Sequence, residues 1–452
     1  MLWHGGRWLQ RAGGAPSGTP TPAPHWPQLS FDGAAFRLKG RWELVRALLV
    51  FRLCALPGLV RWAPTLLSGS QHLLGQRLWG SLLRASFYGQ FVGGQTPHEV
   101  GVTVQRLRAL GLHPLLAVPI EEDVGQDKEG EAWYEGNRGT VLGCVGLSAQ
   151  GGPQSMMQLK VTALMSAQLC RTVSLRLREP EGTAELRLDR VMAVMGGEAP
   201  AFPCLSLAEN RHLQASLLRL DGVAQRAVAA GVRVLVDAEQ TYLNPALTLV
   251  TLALMGRWNR TQAWVWNTYQ CYLKDCLARL AADAALAERL GFCFGVKLVR
   301  GAYLEQERRL AREGGYPDPL QPTLEATNSS YQRCLDLLLE RAARGGRRCE
   351  LMVASHNEAS VSHAVGRMRE LRIARDGGAV CFGQLLGMCD HVSLALGQAG
   401  YAAYKSIPCG APEEVLPYLV RRAQENRNVL RGVRAERQLL RQELWRRLRG
   451  RP

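Results

Sequence analysis

From about residue 105 onward, short runs of Val, Ile, Leu, Met and Ala alternate with longer segments whose apolar residues recur every three or four positions. The short runs predict strands at 113–118, 156–163, 233–239, 263–269, 294–300, 350–355, 379–385 and 402–407. Most are almost continuously apolar, as parallel strands covered on both faces must be. Eight such strands with helical segments between them predict an α/β fold, a distorted (β/α)8 TIM-like barrel. No GxGxxG follows any strand, so a doubly wound nucleotide-binding sheet has no support. Asn244-Pro245 offers an N-cap and a first-turn proline for the helix ending near Met255. Pro412 with Glu413 and Glu414 opens another helix running to Val429. Residues 30–104 read as helical and pack outside the barrel, and 121–138 reads as a surface loop between the first two strands. The predicted organisation is a segment at 1–30, a helical N-terminal extension at 31–104, a barrel at 105–430 and a basic C-terminal helix at 431–452.

Charge changes this picture mainly at the ends. The 452 residues carry a net charge of +16, of which residues 1–98 and 421–452 hold +8 each, so the 322 residues between them are close to neutral. The barrel is therefore not basic; its appendages are. Around 429–449, Val429, Val433, Leu440, Leu444 and Leu448 recur about every four residues among arginines. Two readings fit this helix: it lies on an anionic membrane surface, or it packs one face on the protein body. Interleaved aromatic and basic clusters of the nucleic-acid-binding kind are missing, so no nucleic-acid partner is expected. The first 31 residues contain Arg7 and Arg11 but no acid, and pass into a Pro/Gly/Ser/Thr-rich stretch, which fits a mitochondrial transit segment better than a secretory signal. The apolar stretch 47–60 is interrupted by Arg52 and Pro57 and 246–256 is too short, so no membrane span is expected. The twelve cysteines form no CxxC and read as buried free thiols, and the nine histidines form no HExxH, so no metal site is expected.

Chemistry concentrates where the predicted strands end. The strand Gly295-Val-Lys-Leu-Val-Arg300 carries two cations into an apolar setting, where an unpaired charge costs several kcal/mol or more. It is followed at once by Gly301-Ala302-Tyr303, and an anion is expected to meet it. Other strand ends bring Lys160, Asp237 with Glu239, Gln270, Ser355-His356-Asn357, Gln384 and Ser406. A polar group at seven of eight ends points to one convergent site at the C-terminal mouth of the barrel. On the helix after the last strand, Arg421 and Arg422 lie about 100° apart, suited to grip a carboxylate from two sides or to form a solvated face with Glu425.

These segments resemble the proline dehydrogenase family: Val236-Asp-Ala-Glu-Gln240, Asn267-Thr-Tyr-Gln270, Lys297-Leu-Val-Arg-Gly-Ala-Tyr303, Ala354-Ser-His-Asn357, Phe382-Gly-Gln-Leu-Leu-Gly-Met388 and Tyr418-Leu-Val-Arg-Arg-Ala-Gln-Glu-Asn426. The resemblance runs from about 105 to 430 in family order. It implies a distorted (β/α)8 barrel with FAD at the strand C-termini, oxidation of the C5–N bond of a cyclic amino acid, and electron transfer to a membrane quinone, ubiquinone. By the same resemblance Arg421, Arg422 and Lys160 clamp the substrate carboxylate, Tyr303 packs on the ring, Asp237 orients the arginine and tyrosine, and Leu385 lines the apolar side. Lys297 is implied near the flavin N5, Gln270, Arg300 and Gly301 at the isoalloxazine or pyrophosphate, and Ser355, His356 and Glu425 along the ribitol and adenosine.

One position departs from the family pattern. Where a tyrosine usually stands before the proline that ends the last strand, this chain has Tyr404-Lys405-Ser406-Ile407-Pro408, placing Ser406 there. A hydroxymethyl in place of a phenol opens space and offers a donor and acceptor for a ring hydroxyl, resembling the branch that acts on trans-4-hydroxy-L-proline. The alternative is a neutral exchange, with Tyr404 or another aromatic covering the pocket and L-proline as substrate. A reading of a different class is a non-catalytic barrel serving as a basic membrane or nucleic-acid adaptor, against which stand the polar strand ends and the near-neutral middle.

Overall fold

A computed structural model of the chain describes residues 29–56, 75–118, 120, 130–376, 378–416, 418–422 and 430–450. Glu425 and all but the last two positions of the expected transit segment lie outside these residues. Eight parallel strands close into a barrel in sequence order: β1 (His113–Ala117), β2 (Met156–Leu159), β3 (Arg233–Val236), β4 (Val265–Gln270), β5 (Phe294–Val299), β6 (Cys349–Ala354), β7 (Val380–Leu385) and β8 (Ala403–Pro408). β8 pairs back onto β1, with Leu115 opposite Ser406. The expected barrel is present, with several strands ending earlier than the apolar runs suggest. β2 stops at Leu159 because a 3₁₀ turn, Val161–Ala163, follows Lys160.

In chain order the main helices are α1 (Arg41–Cys54), α2 (Pro97–Ala109), α3 (Glu131–Ala149), α4 (Leu207–Ala229), α5 (Asn244–Trp258), α6 (Cys276–Leu290), α7 (Leu324–Gly345), α8 (Glu358–Glu370), α9 (Asp390–Gln398) and α10 (Leu430–Leu448). Three local expectations need correction. The helix expected to open at Pro412 does not, because 412–415 form turns and helix is first seen at 416. The loop expected at 121–138 gives way at Glu131 to α3, whose Tyr134, Val141, Cys144 and Val145 are buried. Asn244 does not cap α5 but sits in its first turn, where its amide accepts from Glu239 N at 2.9 Å and donates to Glu239 O at 3.0 Å.

Alternation along the strands sorts the barrel interior into layers. Toward the strand N-termini Leu115, Met156, Leu235, Trp266, Met352, Cys381 and Tyr404 pack together, with Arg233 and Glu350 ion-paired at 3.3 Å. Two residues further along, Gln158, Asp237, Lys297 and Ser406 form a polar layer at the mouth. Tyr404 stacks on His113 and donates to Gln154 O at 2.8 Å, in the apolar base layer. It does not cover the pocket.

The appendages close on the mouth side. Gln90 donates to Gly387 O at 2.7 Å and Tyr88 to Gly410 O at 2.8 Å, tying the N-terminal extension to the loops after β7 and β8. Gly387 has φ +73°, and a Cβ there would meet Gln90 O at 2.0 Å, so this close approach requires glycine. On α10, Glu436, Leu440 and Glu443 are buried and Leu448 is 69% exposed. Glu436 accepts from the Cys389 and Asp390 amides at 2.9 and 2.8 Å, a carboxylate cap on the start of α9. Arg447 donates to Phe36, Arg37 and Lys39 carbonyls. The inward face of α10 is thus held largely by polar contacts, and the reading in which it packs on the body is the observed one. Trp445 and several arginines remain on its outer face. Among the described residues no helix is long and apolar enough to cross a membrane.

Candidate active site

The polar layer is one connected chain of hydrogen bonds. Lys297, from the middle of β5, donates to Asp237 Oδ1 at 2.6 Å. Gln158, on the inward face of β2, donates to both Asp237 oxygens at 3.2 and 3.4 Å, and accepts from Ser406 Oγ at 2.5 Å. Asp237 therefore meets Lys297 and Gln158 as counter-ion and amide donor, which the expected role of orienting an arginine and a tyrosine did not include. Lys160, following β2, donates to Tyr303 OH at 3.4 Å. Gln158 was missed in the sequence; the available signal was its position two residues before Lys160, on the same strand face.

A second group gathers outside the wall between β5 and β6. Odd positions of β5 face inward, so Arg300 turns toward the helices. Its guanidinium donates to Asn328 Oδ1 at 3.0 Å, Ser355 Oγ at 2.7 Å and Ser360 Oγ at 2.9 Å, and stacks on Tyr331 at 4.5 Å. Burial pushes its pKa down. All three hydrogen-bond partners are neutral, and among the described residues no carboxylate pairs with it. Gly301 follows with φ +136°, where a Cβ would lie 2.5 Å from the Tyr272 ring. The missing side chain is required by that ring, a packing reason beyond the expected cofactor contact.

His356 accepts the Leu385 amide on Nε2 at 3.0 Å, so this nitrogen is unprotonated. Burial first, then Lys405, Arg422 and Arg300, pulls its pKa down to about 3, and the ring is neutral at pH 7. Gln270, at the end of β4, donates to Glu239 O at 2.8 Å, while Glu239 accepts from Thr162 at 2.9 Å. Gln384 does not join the mouth. It faces outward on β7, donating to Ser355 O at 3.2 Å and accepting from Ser393 at 3.0 Å. The polar strand ends thus divide between a mouth layer and a wall layer, where a single convergent site was expected. Arg421 and Arg422 lie on the helical stretch 418–422, Arg422 buried and stacked on Tyr418 at 4.7 Å.

All twelve cysteines are free, ten of them buried. Three converge behind Gln270: the Cys271, Cys276 and Cys334 sulfurs lie within 4.8 Å of one another. Among the described residues this is the one His/Cys/Asp/Glu group close enough to hold a metal ion, and its chain spacing gives no motif. Three polarisable sulfurs in a core also pack well without one.

Fold and site define a (β/α)8 barrel whose mouth holds Lys297 paired with Asp237 and whose β5–β6 wall holds Arg300 among neutral hydrogen-bond partners. The family model described as proline dehydrogenase matches residues 147–435. A hydroxyproline dehydrogenase of Xenopus laevis is 56% identical, covering 96% of this chain and 93% of that protein, and one of Homo sapiens is 58% identical, covering 94% and 95%. Proline dehydrogenase 1, mitochondrial, of Homo sapiens is 36% identical, covering 94% and 91%. The crystal structure of proline utilization A from Bdellovibrio bacteriovorus shares the fold with a TM-score of 0.62 at 19% identity; the match covers 85% of this chain and 36% of that one. The chain belongs to the proline dehydrogenase family.

Proposed function

We propose that this chain is an FAD-dependent dehydrogenase that oxidises trans-4-hydroxy-L-proline to 1-pyrroline-3-hydroxy-5-carboxylate and passes the electrons to ubiquinone. The observation that carries the substrate choice is the pair Ser406 and Tyr404. Ser406 stands in the mouth layer with its hydroxyl on Gln158, whereas the Tyr404 phenol is held at the opposite end of the barrel by Gln154 O. The space left by the missing mouth tyrosine is thus polar and lies beside Asp237 and Lys297. The high identity to two hydroxyproline dehydrogenases supports the same reading.

The residues fit FAD. Arg300, largely buried and bonded only to neutral groups, is a cation prepared for the pyrophosphate, with Ser355 and His356 beside it. Lys297, Gln270 and Gly301 would border the ring system, and Glu425 the adenosine. When bound, FAD supplies the two-electron acceptor for the substrate C5–N bond. Arg421, Arg422 and Lys160 would hold the substrate carboxylate, Tyr303 and Leu385 would pack on the ring, and Asp237 would fix the position of Lys297. Orientation and charge placement are the protein's contribution, and no side-chain nucleophile is required.

We place the enzyme in the mitochondrion, attached to the matrix side of the inner membrane through its basic ends, where its quinone acceptor resides. Salt should weaken that attachment; attachment insensitive to salt would remove it. The catalytic reading is tested by anaerobic bleaching of the visible flavin band with trans-4-hydroxy-L-proline and L-proline in parallel. Faster and tighter bleaching by the hydroxylated substrate is expected. Preference for L-proline would assign the parent activity, and no bleaching by either would remove the dehydrogenase reading.

A further inference from the structure

We propose that Gln158 determines specificity, by turning Ser406 into a hydrogen-bond acceptor for the hydroxyl on the substrate ring. The proposal rests on the substrate reading above and adds the polarity of the contact and the residue that sets it.

Each hydrogen-bond direction in the mouth layer follows from the one before it. Lys297 can only donate, and it does so to Asp237 at 2.6 Å. Asp237 presents carboxylate oxygens, which accept, so the Gln158 group facing it at 3.2 and 3.4 Å must be the amide nitrogen. That fixes the orientation of the amide and leaves its oxygen facing Ser406. A carbonyl oxygen can only accept, so the 2.5 Å contact requires the Ser406 hydroxyl to give its single proton to Gln158. Only lone pairs then remain on Ser406 for the pocket. A ring hydroxyl meets such a group as a donor, extending the chain in one sense from substrate to Ser406, Gln158 and Asp237. An unsubstituted ring leaves Ser406 without this contact, and a ring bearing an acceptor opposes lone pair to lone pair.

The buried setting makes the direction persist. Ser406 is 8% exposed, and Asp237, itself held by Lys297, holds the amide from behind. No other described member of the layer accepts the Ser406 proton. Gln158 acts on the ring hydroxyl through Ser406 and is a positioning residue.

The test measures kcat/KM of the holoenzyme for trans-4-hydroxy-L-proline, L-proline and trans-4-fluoro-L-proline, whose substituent accepts weakly and never donates. In the unmodified enzyme the fluorinated ring should rank with L-proline or below it; equality with the hydroxylated ring would mean that Ser406 donates, and would overturn the proposal. Gln158→Leu and Ser406→Ala should each lower the hydroxyproline-to-proline ratio of kcat/KM by about tenfold. The double variant should lower it no further than either single one, because both remove the same contact. An unchanged ratio in Gln158→Leu, or single effects that multiply in the double variant, would also overturn it. If the unmodified enzyme prefers L-proline, the substrate reading itself fails and takes this inference with it. A general loss of rate with the ratio intact would mark Gln158 as structural.

Discussion

Lys297 and Lys405 are two buried lysines in barrel strands, each beside an aspartate, yet they face opposite sides of the same wall. Lys297 points inward to Asp237 at 2.6 Å, in a layer reached from the mouth, with side chains 11% and 20% exposed. Lys405 points outward and lies 2.7 Å from Asp390 at the start of α9, and it donates to Met388 O at 2.7 Å and Leu385 O at 3.2 Å. Lys39 from the N-terminal extension joins Asp390 from the other side. Strand parity alone separates the two pairs. The inward pair borders chemistry, and the outward one fastens the β7 loop, the N-terminal extension and, through the Glu436 cap, α10.

The comparison is tested most severely by Asp390→Ala. Removing the shared carboxylate leaves two buried ammonium groups without a counter-ion and should cost about 3–5 kcal/mol, read as a lower denaturation midpoint of the holoenzyme. A change under 1 kcal/mol would demote the outward pair to an ordinary surface contact. The same carboxylate gives a pH signature. Burial alone would raise its pKa, but Lys39 and Lys405 outweigh burial and hold it well below the usual range. Its contribution is therefore complete above about pH 3.9 and is lost as pH falls toward the folded-state value.

Lys297→Met should act in the opposite sense, on activity more than stability. Loss of one charge-assisted bond at the mouth should reduce kcat/KM about 10- to 100-fold. A stability loss as large as that of Asp390→Ala with kcat/KM retained would erase the distinction. His356 links the two regions, because it receives the Leu385 amide while Lys405 and Arg422 repel its proton. Its folded pKa of about 3 lies below the unfolded value near 6.5, so between those values the unfolded state binds more protons and stability falls as pH falls. In His356→Gln the loss between pH 7 and 5 should be smaller than in the unmodified chain, by urea titration at both values; equal losses would place the proton elsewhere. The smallest effect is expected of Tyr404→Phe, which removes one bond to Gln154 O. It should cost about 1 kcal/mol in thermal unfolding without altering substrate preference. A changed preference would return that ring to the pocket.

Much of this was legible along the chain because period and register are local. The apolar runs located every strand, and the cations at Lys297 and Arg300 announced buried charge. Parity within β5 could even have separated those two residues, since three positions apart on a strand means opposite faces. Gln158 shares a strand face with Lys160, but its partners, Asp237 just after β3 and Ser406 on β8, are distant in sequence, so its role shows only once they are beside it. Gln384 erred the other way: its position at a strand end suggested the mouth, and only Ser393 and the Ser355 carbonyl reveal that it belongs to the wall.

By itself the sequence determined the closed barrel, the neutral body with basic ends, and the residue types at the strand termini, because burial and periodicity act over a few neighbours. The tertiary structure decided which of those polar groups meet. Asp237 takes its partners from β2 and β5, Asp390 from an N-terminal segment 351 residues away and from β8, and the α9 start is capped by α10. Charge compensation in a barrel is made across the closure, between residues whose separation in sequence carries no information about their distance in space.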